Sequence, residues 1–181
     1  VGTLEPRKNL ETLLDAWPAL RRRRAAAGGA GEVPPLVLCG QLGWKSEGLR
    51  RRVEEARAEG WLHHLGYVDE AALGALYRGA RLFVFPSRYE GFGLPVLEAL
   101  AAGVPVVASD LPVLRELAGD AVLYAPPTDV EEWVRQVAAV LDDPELARRL
   151  AAAGRERAKG YTWERAAELH VQVFREAAGI G

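Results

Sequence analysis

Short apolar runs alternate along this chain with longer segments whose apolar positions recur every three or four residues. Pro35 to Gly40 is a continuous apolar run closed by glycine, the pattern of a strand buried on both faces of a parallel sheet. Trp61 to Leu65, Arg81 to Phe85, Val104 to Ala108 and Ala121 to Tyr124 have the same character, and Val1-Gly2-Thr3-Leu4 reads like the end of one more core strand. The segments between them are helical. Asn9 to Arg24 carries Leu10, Leu13, Leu14, Trp17 and Leu20 on one stripe. Ser46 to Glu59 is a charged surface helix, Asp69 is placed to cap a helix through Tyr77, and Leu94 to Ala102 and Leu111 to Leu117 follow.

After Tyr124 the strands stop. Thr128-Asp129-Val130-Glu131 has the spacing of a capping box, and the helix behind it sets Val130, Trp133, Val134, Val137 and Leu141 on one face. Pro144 to Lys159 and Thr162 to Ala178 are two further helices. Strands alternating with helices imply βαβ units, and right-handed crossovers place helices on both faces of the sheet. The expected architecture is one α/β domain: a doubly wound, Rossmann-like parallel sheet of about six strands over residues 1–125, with a helical tail over 126–181. In such sheets ligands bind beyond the carboxyl ends of the strands, which directs attention to the loops there.

Composition changes this picture little. The 181 residues are 49% hydrophobic and 27% charged with a net charge of -2, ordinary for a globular domain and without the field that attracts nucleic acid. No apolar run reaches membrane-spanning length, and no signal-peptide pattern opens the chain. The lone Cys39 sits in an apolar run and reads as a small buried hydrophobe, which fits a reducing, cytoplasmic compartment. Methionine is absent and the chain opens inside an apparent strand, so an excised domain lacking its other half is expected. Arg21 to Arg24 complement the dipole at a helix end, with contact to anionic lipid as a minor alternative. Arginine far outnumbers lysine, as a GC-rich genome or heat adaptation would produce. Ala25 to Gly31 reads as a mobile surface loop. Trp17, Trp133 and Trp163 belong to the core by their spacing, whereas Trp44 follows a strand-end loop and is placed to border a ligand.

Two loops carry candidate chemistry. Pro86-Ser87-Arg88-Tyr89-Glu90-Gly91-Phe92-Gly93-Leu94-Pro95 joins a strand to a helix. Its paired glycines let backbone approach a ligand, and the free N–H groups of the helix end make an anion site. Glu98, one turn inside, suits the two hydroxyls of a ribose better than a phosphate, and Glu90 faces the same crevice. The other reading is a tight turn with a solvated glutamate. The second loop, Gly2-Thr3-Leu4-Glu5-Pro6-Arg7-Lys8-Asn9, puts Arg7 and Lys8 on the same rim. Cations at a helix amino end oppose the macrodipole by roughly 0.3–1 kcal/mol each, a conflict that a bound anion removes.

These segments together resemble the carboxyl-terminal domain of the GT-B glycosyltransferases of group 1, family GT4. The resemblance covers essentially the whole chain. It rests on the E-x7-E pattern from Glu90 to Glu98 with GFGLPVL inside it, and on VGTLEPRKNLETLLDAW, LVLCG, HHLGYVDEAALGALYRGA, LFVFPSRYEGFG and AAGVPVVASDLPVLREL in this order. The resemblance implies a domain that binds a nucleoside-diphosphate sugar such as GDP-mannose or UDP-glucose. Lys8 and Arg7 meet the diphosphate, Glu98 the ribose and Glu90 the transferred sugar. Backbone N–H groups from Gly91 through Phe92, Gly93 and Leu94 hold its hydroxyls or phosphates. The base lies near Gly66, Tyr67 and Val68, with Gly40 and Pro86 lining the pocket.

It further implies retention of configuration with no metal and no cofactor, and no D-x-D motif or His/Cys cluster stands against that. One departure is Thr3, where many members carry an arginine that holds the diphosphate. The acceptor would bind an amino-terminal domain that is absent here, and full-length members include peripheral membrane enzymes. His63, His64 and His170 read as structural or surface residues. Two alternatives stand beside a hexosyltransferase, mannosyl or glucosyl foremost: a non-catalytic nucleotide-binding module, and half of a GT-B-like sugar-nucleotide epimerase.

Overall fold

In the computed structural model, which describes residues 1–26, 33–41, 43 and 47–179, five short parallel strands carry the fold. They are β1 (Leu36–Leu38), β2 (Leu62–His64), β3 (Phe83–Phe85), β4 (Val106–Ser109) and β5 (Leu123–Ala125). β1 pairs with β2, Leu36 opposite Leu62. β4 lies between β3 and β5, with Phe83 opposite Val106 and Val107 opposite Leu123. The helices are α1 (Leu10–Ala26), α2 (Glu47–Ala58), α3 (Glu70–Gly79), α4 (Leu94–Ala102), α5 (Pro112–Ala118), α6 (Val130–Asp142), α7 (Pro144–Ala158) and α8 (Trp163–Ala177). A 3-10 turn, Pro6–Lys8, leads into α1, and another, Gly119–Ala121, follows α5.

The doubly wound arrangement shows on β4, whose four residues are all buried. Val107 packs into a cluster with Leu13, Leu20 and Trp133 from α1 and α6. Its neighbours Val106 and Ala108 pack on the other face with Val96, Leu100 and Leu114 from α4 and α5. Each buried side chain of the larger kind contributes about 1.5–3 kcal/mol. A polar substitution at Val107 therefore breaks the sheet from its centre.

Three expectations need correction. The described residues hold five strands rather than about six, because Val1–Leu4 forms no strand of its own. That segment runs beside the end of β1, with Gly2 N–H donating to Cys39 O at 2.9 Å and Leu4 N–H to Gln41 O at 2.8 Å. Second, the cap of α6 is Asp129, whose carboxylate accepts from Glu132 N–H at 3.0 Å. The box starting at Thr128 is off by one residue; Asp is an equally competent cap, and the choice keeps Trp133 and Val137 inward. Third, Trp163 is 82% exposed and no residue of α8 is buried. Periodicity shows that a helix has an apolar face, not that this chain covers it. Trp17 and Trp133 are core as expected, with Nε1 donating to Pro34 O and Pro126 O. Asp69 caps α3 through Ala72 N–H at 2.7 Å. Trp44, Ser46 and most of the 25–31 loop lie outside the described residues.

Candidate functional site

The two candidate loops meet at the carboxyl ends of β1 and β3. Lys8 Nζ lies 2.7 Å from Glu90 Oε1, and Arg7 reaches the same oxygen at 3.2 Å. The ammonium also sits 4.9 Å from the centre of the Phe85 ring, on the last residue of β3. The side chains of Lys8 and Glu90 are 12% and 9% exposed, so this ion pair is sheltered, whereas Arg7, at 47%, also touches Glu5. Burial alone would raise the Glu90 carboxyl; the hydrogen bond and charge of Lys8, helped by Arg7, outweigh it and hold the carboxyl below its ordinary range.

Asn9, which sequence reasoning took only as a helix start, fastens this cluster. It is fully buried and left-handed, with φ 53°. Its Nδ2 donates to Pro86 O at 2.9 Å and to Pro127 O at 2.6 Å, and its Oδ1 accepts from Arg88 Nε at 2.9 Å. Arg88 N–H closes the link by donating to Arg7 O at 2.8 Å. One amide thus ties the turn before α1 to the loops after β3 and β5. The available sequence signal was the residue type: asparagine tolerates the left-handed region and both donates and accepts.

The amino end of α4 opens onto the same rim. Its N-cap is Gly93, at φ 101°, and no side chain caps it. A Cβ there would lie 2.6 Å from Leu114 Cδ2, so both backbone and packing require glycine. Pro95 in the first turn has no N–H, and the first bonded amides are those of Val96 and Leu97, both to Gly93 O. Among the described residues nothing accepts from the N–H groups of Phe92, Gly93 or Leu94. Gly91 has no atom within 4 Å of its missing Cβ, which leaves open space beside them. Phe92 and Leu94 are themselves exposed.

Glu98 stands one turn further on, exposed, with Oε2 accepting from the Tyr77 hydroxyl at 2.9 Å. Burial first, then the bond and charge of Glu98, push the Tyr77 hydroxyl well above its ordinary range, so it stays a donor. The remaining expected residues lie around β1 and β2. Gly40, at φ 129°, donates to Gly66 O at 2.6 Å, and a Cβ on it would lie 2.0 Å from Gly2 O. His64 Nε2 donates to Gly40 O at 2.8 Å, so it braces this loop. Tyr67 is 77% exposed, Val68 half-buried and Thr3 exposed, while Pro86 is buried with its carbonyl taken by Asn9. His63 and His170 are exposed. Among the described residues no three His, Cys, Asp or Glu side chains gather as a metal group.

The arrangement joins two cations, a free helix end and two separated carboxylates along one rim. Such a set is suited to an elongated ligand with an anionic middle and hydroxyls on either side.

The family of glycosyl transferases group 1 matches residues 1–157. Over 97% of its length the chain is 40% identical to an O-antigen chain mannosyltransferase B of Escherichia coli, and it covers 44% of that protein. It is 34% identical to a glycogen synthase of Mycobacterium tuberculosis over 96% of this chain and 41% of that one. A sucrose-phosphate synthase from Thermosynechococcus elongatus superimposes on all of this chain with a TM-score of 0.80 at 31% identity, and the match takes in 45% of that structure. The chain therefore spans less than half the length of these relatives. The fold and the matched residues agree: the chain belongs to the group 1 glycosyl transferases.

Proposed function

We propose that this chain is the donor-binding part of a retaining, metal-independent glycosyltransferase, which transfers a hexose from a nucleoside-diphosphate sugar to an acceptor hydroxyl held on another domain. The observation that carries the reading is the meeting of Lys8, Arg7 and Glu90 beside the uncapped amino end of α4. Lys8 and Arg7 neutralise the diphosphate, most strongly as it departs, so no metal ion is required for that task. Thr3 adds a hydroxyl but no charge, which leaves the work to these two cations. The N–H groups of Phe92, Gly93 and Leu94 take phosphate or sugar oxygens. Glu98 accepts from the ribose hydroxyls with the oxygen that Tyr77 leaves open. Glu90 points toward the transferred sugar. The base rests along Gly40, Gly66, Tyr67, Val68 and Pro86. The mannosyltransferase relative favours a mannosyl donor ahead of a glucosyl one.

On this reading the isolated chain binds donor and turns over little, because the acceptor domain supplies the rest of the cleft. The full-length enzyme works in the cytoplasm, with peripheral contact at the membrane as an option. Calorimetry with UDP, GDP and ADP, each bare and as its sugar conjugate, tests the assignment. One base should bind best, and Lys8→Ala and Glu98→Ala should both weaken it. Binding that neither substitution disturbs would remove the site, and rapid sugar transfer by the isolated chain would remove the division of labour.

A further inference from the structure

The loop after β3 carries the N–H groups of Phe92, Gly93 and Leu94, which among the described residues have no acceptor. Two supports hold that loop from below. The first is α5: a Cβ on Gly93 would meet Leu114 Cδ2 at 2.6 Å and Leu117 Cδ2 at 3.3 Å, so the backbone lies directly on these side chains. The second is Tyr161, between α7 and α8. Its ring meets the Phe92 ring edge-on, with centroids 6.0 Å apart and planes at 74°, a favourable geometry for an aromatic pair.

One arginine ties the two supports together. Arg157 Nε donates to Leu117 O at 2.8 Å and Nη2 to Glu116 O at 2.5 Å, which occupies carbonyls left over at the end of α5. The same guanidinium lies 5.7 Å from the centre of the Tyr161 ring and 3.3 Å from its hydroxyl. Tyr161 N–H donates to Ala158 O at 3.0 Å, and its hydroxyl to Glu116 O at 3.4 Å. Tyr161 is thus fixed at its backbone, its ring face and its hydroxyl. The ring it holds is not a core residue, because Phe92 is 44% exposed. Phe92 lies between Gly91 and Gly93, which give the backbone wide freedom. A contact on the Phe92 side chain supplies the restraint that two glycines do not.

We propose that Tyr161 is a positioning residue of the donor site: by holding the Phe92 ring it keeps the N–H groups of Phe92, Gly93 and Leu94 aimed at the phosphate or sugar oxygens of a nucleoside-diphosphate sugar. The proposal rests on the donor-binding reading above and extends that site to the junction of α7 and α8, which touches no ligand itself. Donors fixed in advance bind an anion without first having to be ordered. Releasing Phe92 therefore weakens ligands that use these N–H groups and spares a nucleoside, which has no phosphate to offer them.

The test compares the 181-residue chain with Tyr161→Leu, Tyr161→Phe, Phe92→Leu and the double variant of both leucine changes. Each is titrated with UDP, GDP and ADP and with uridine, guanosine and adenosine. Tyr161→Leu should weaken the best diphosphate by about three- to tenfold, the worth of one aromatic pair, and leave its nucleoside within about twofold. Tyr161→Phe keeps the ring and should restore wild-type affinity. In the Phe92→Leu background Tyr161→Leu should add little, since the pair is already broken. Phe92→Leu alone, at an exposed position, carries the same diphosphate-against-nucleoside comparison if Tyr161→Leu does not fold. Hydrogen exchange without ligand gives an independent readout. Val96 and Leu97 N–H both donate to Gly93 O, at 2.9 and 3.2 Å, and report order at the start of α4. Tyr161→Leu should speed exchange there by a larger factor than at the amides of β4. Equal loss of diphosphate and nucleoside affinity, equal acceleration at α4 and β4, or no rescue by Tyr161→Phe would assign Tyr161 to general stability and overturn the proposal. A wild-type chain that binds no diphosphate would remove the donor reading, and the exchange comparison would still decide whether Tyr161 orders the loop.

Discussion

The two ends of the proposed donor site are built differently. On the phosphate side, Lys8 and Glu90 are nearly buried, pinned by Asn9, Arg88 and the Phe85 ring. On the ribose and base side, Glu98 is exposed with a single described hydrogen bond, and Tyr67 projects into solvent at 77% exposure. Electrostatic stabilisation of a departing diphosphate works through charges fixed before the ligand arrives. Recognition of a ribose or base tolerates side chains that settle on the ligand. The comparison predicts that substitutions on the first side change fold and affinity together, whereas those on the second change affinity alone.

Asn9→Ala is the strongest way to break the rigid side. It strands the buried Pro86 O, leaves Pro127 O with Thr12 Oγ1 alone and takes from Arg88 Nε its acceptor. A loss of about 2–4 kcal/mol in urea unfolding is expected, together with weakened nucleoside-diphosphate binding. Unchanged stability would show that the cluster stands without its clasp.

Glu90→Gln sharpens the same side and separates its two roles. Without the carboxylate Lys8 faces the ligand unopposed and Arg7 is balanced by Glu5 alone. Bare nucleoside diphosphate should bind severalfold tighter, an effect of about 1 kcal/mol after allowing for solvent screening, while the preference for the sugar conjugate falls. The pH dependence follows from the lowered Glu90 carboxyl. Its contribution to stability is present above the ordinary value of 4.5 and is lost as pH falls through the lowered one. Acid unfolding should therefore show a loss in wild type below pH 4.5 that Glu90→Gln lacks.

Much of this was legible in the sequence, and the gaps have physical causes. The order of strands and helices follows from periodicity, because a buried strand and an amphipathic helix need different spacings of the same residues. Strand ends were not legible: Pro35, Arg81 and Val104 belong to apolar runs that extend beyond the hydrogen-bonded ladder. Trp163 and Trp133 share the same helical signature, yet one is exposed and the other fully buried, since cover depends on a neighbour that no local pattern names. Arg7, Lys8, Glu90 and Glu98 fall on one rim because each follows a strand or opens a helix. That Lys8 and Glu90 are partners across 82 positions, and that Asn9 joins three loops, are facts of the third dimension.

On the adaptable side, Tyr77→Phe removes the one described hydrogen bond to Glu98 while keeping the buried ring and its edge contact with Phe83. Affinity should fall by about fivefold, near 1 kcal/mol, the ordinary worth of one hydrogen bond. The loss should shrink for a 2′-deoxyribose ligand, which offers Glu98 one hydroxyl fewer. An equal loss for ribose and deoxyribose would detach Glu98 from the sugar ring.

Tyr67→Ala should do least, and for that reason it tests the comparison most sharply. The ring is 77% exposed and has no described hydrogen-bond partner, so unfolding should shift by less than about 0.5 kcal/mol. If the base lies along it, stacking gains contact area, but ordering a free side chain takes back about 0.5–1.5 kcal/mol of that gain. The net effect on affinity should stay within about threefold, below that of any change on the phosphate side. It should also be similar for UDP, GDP and ADP, because every base offers a flat face, whereas selection among bases by backbone near Gly66 survives the loss of the ring. A large, base-specific loss would mean that the open side is as pre-organised as the charged one, and that Tyr67 itself reads the base.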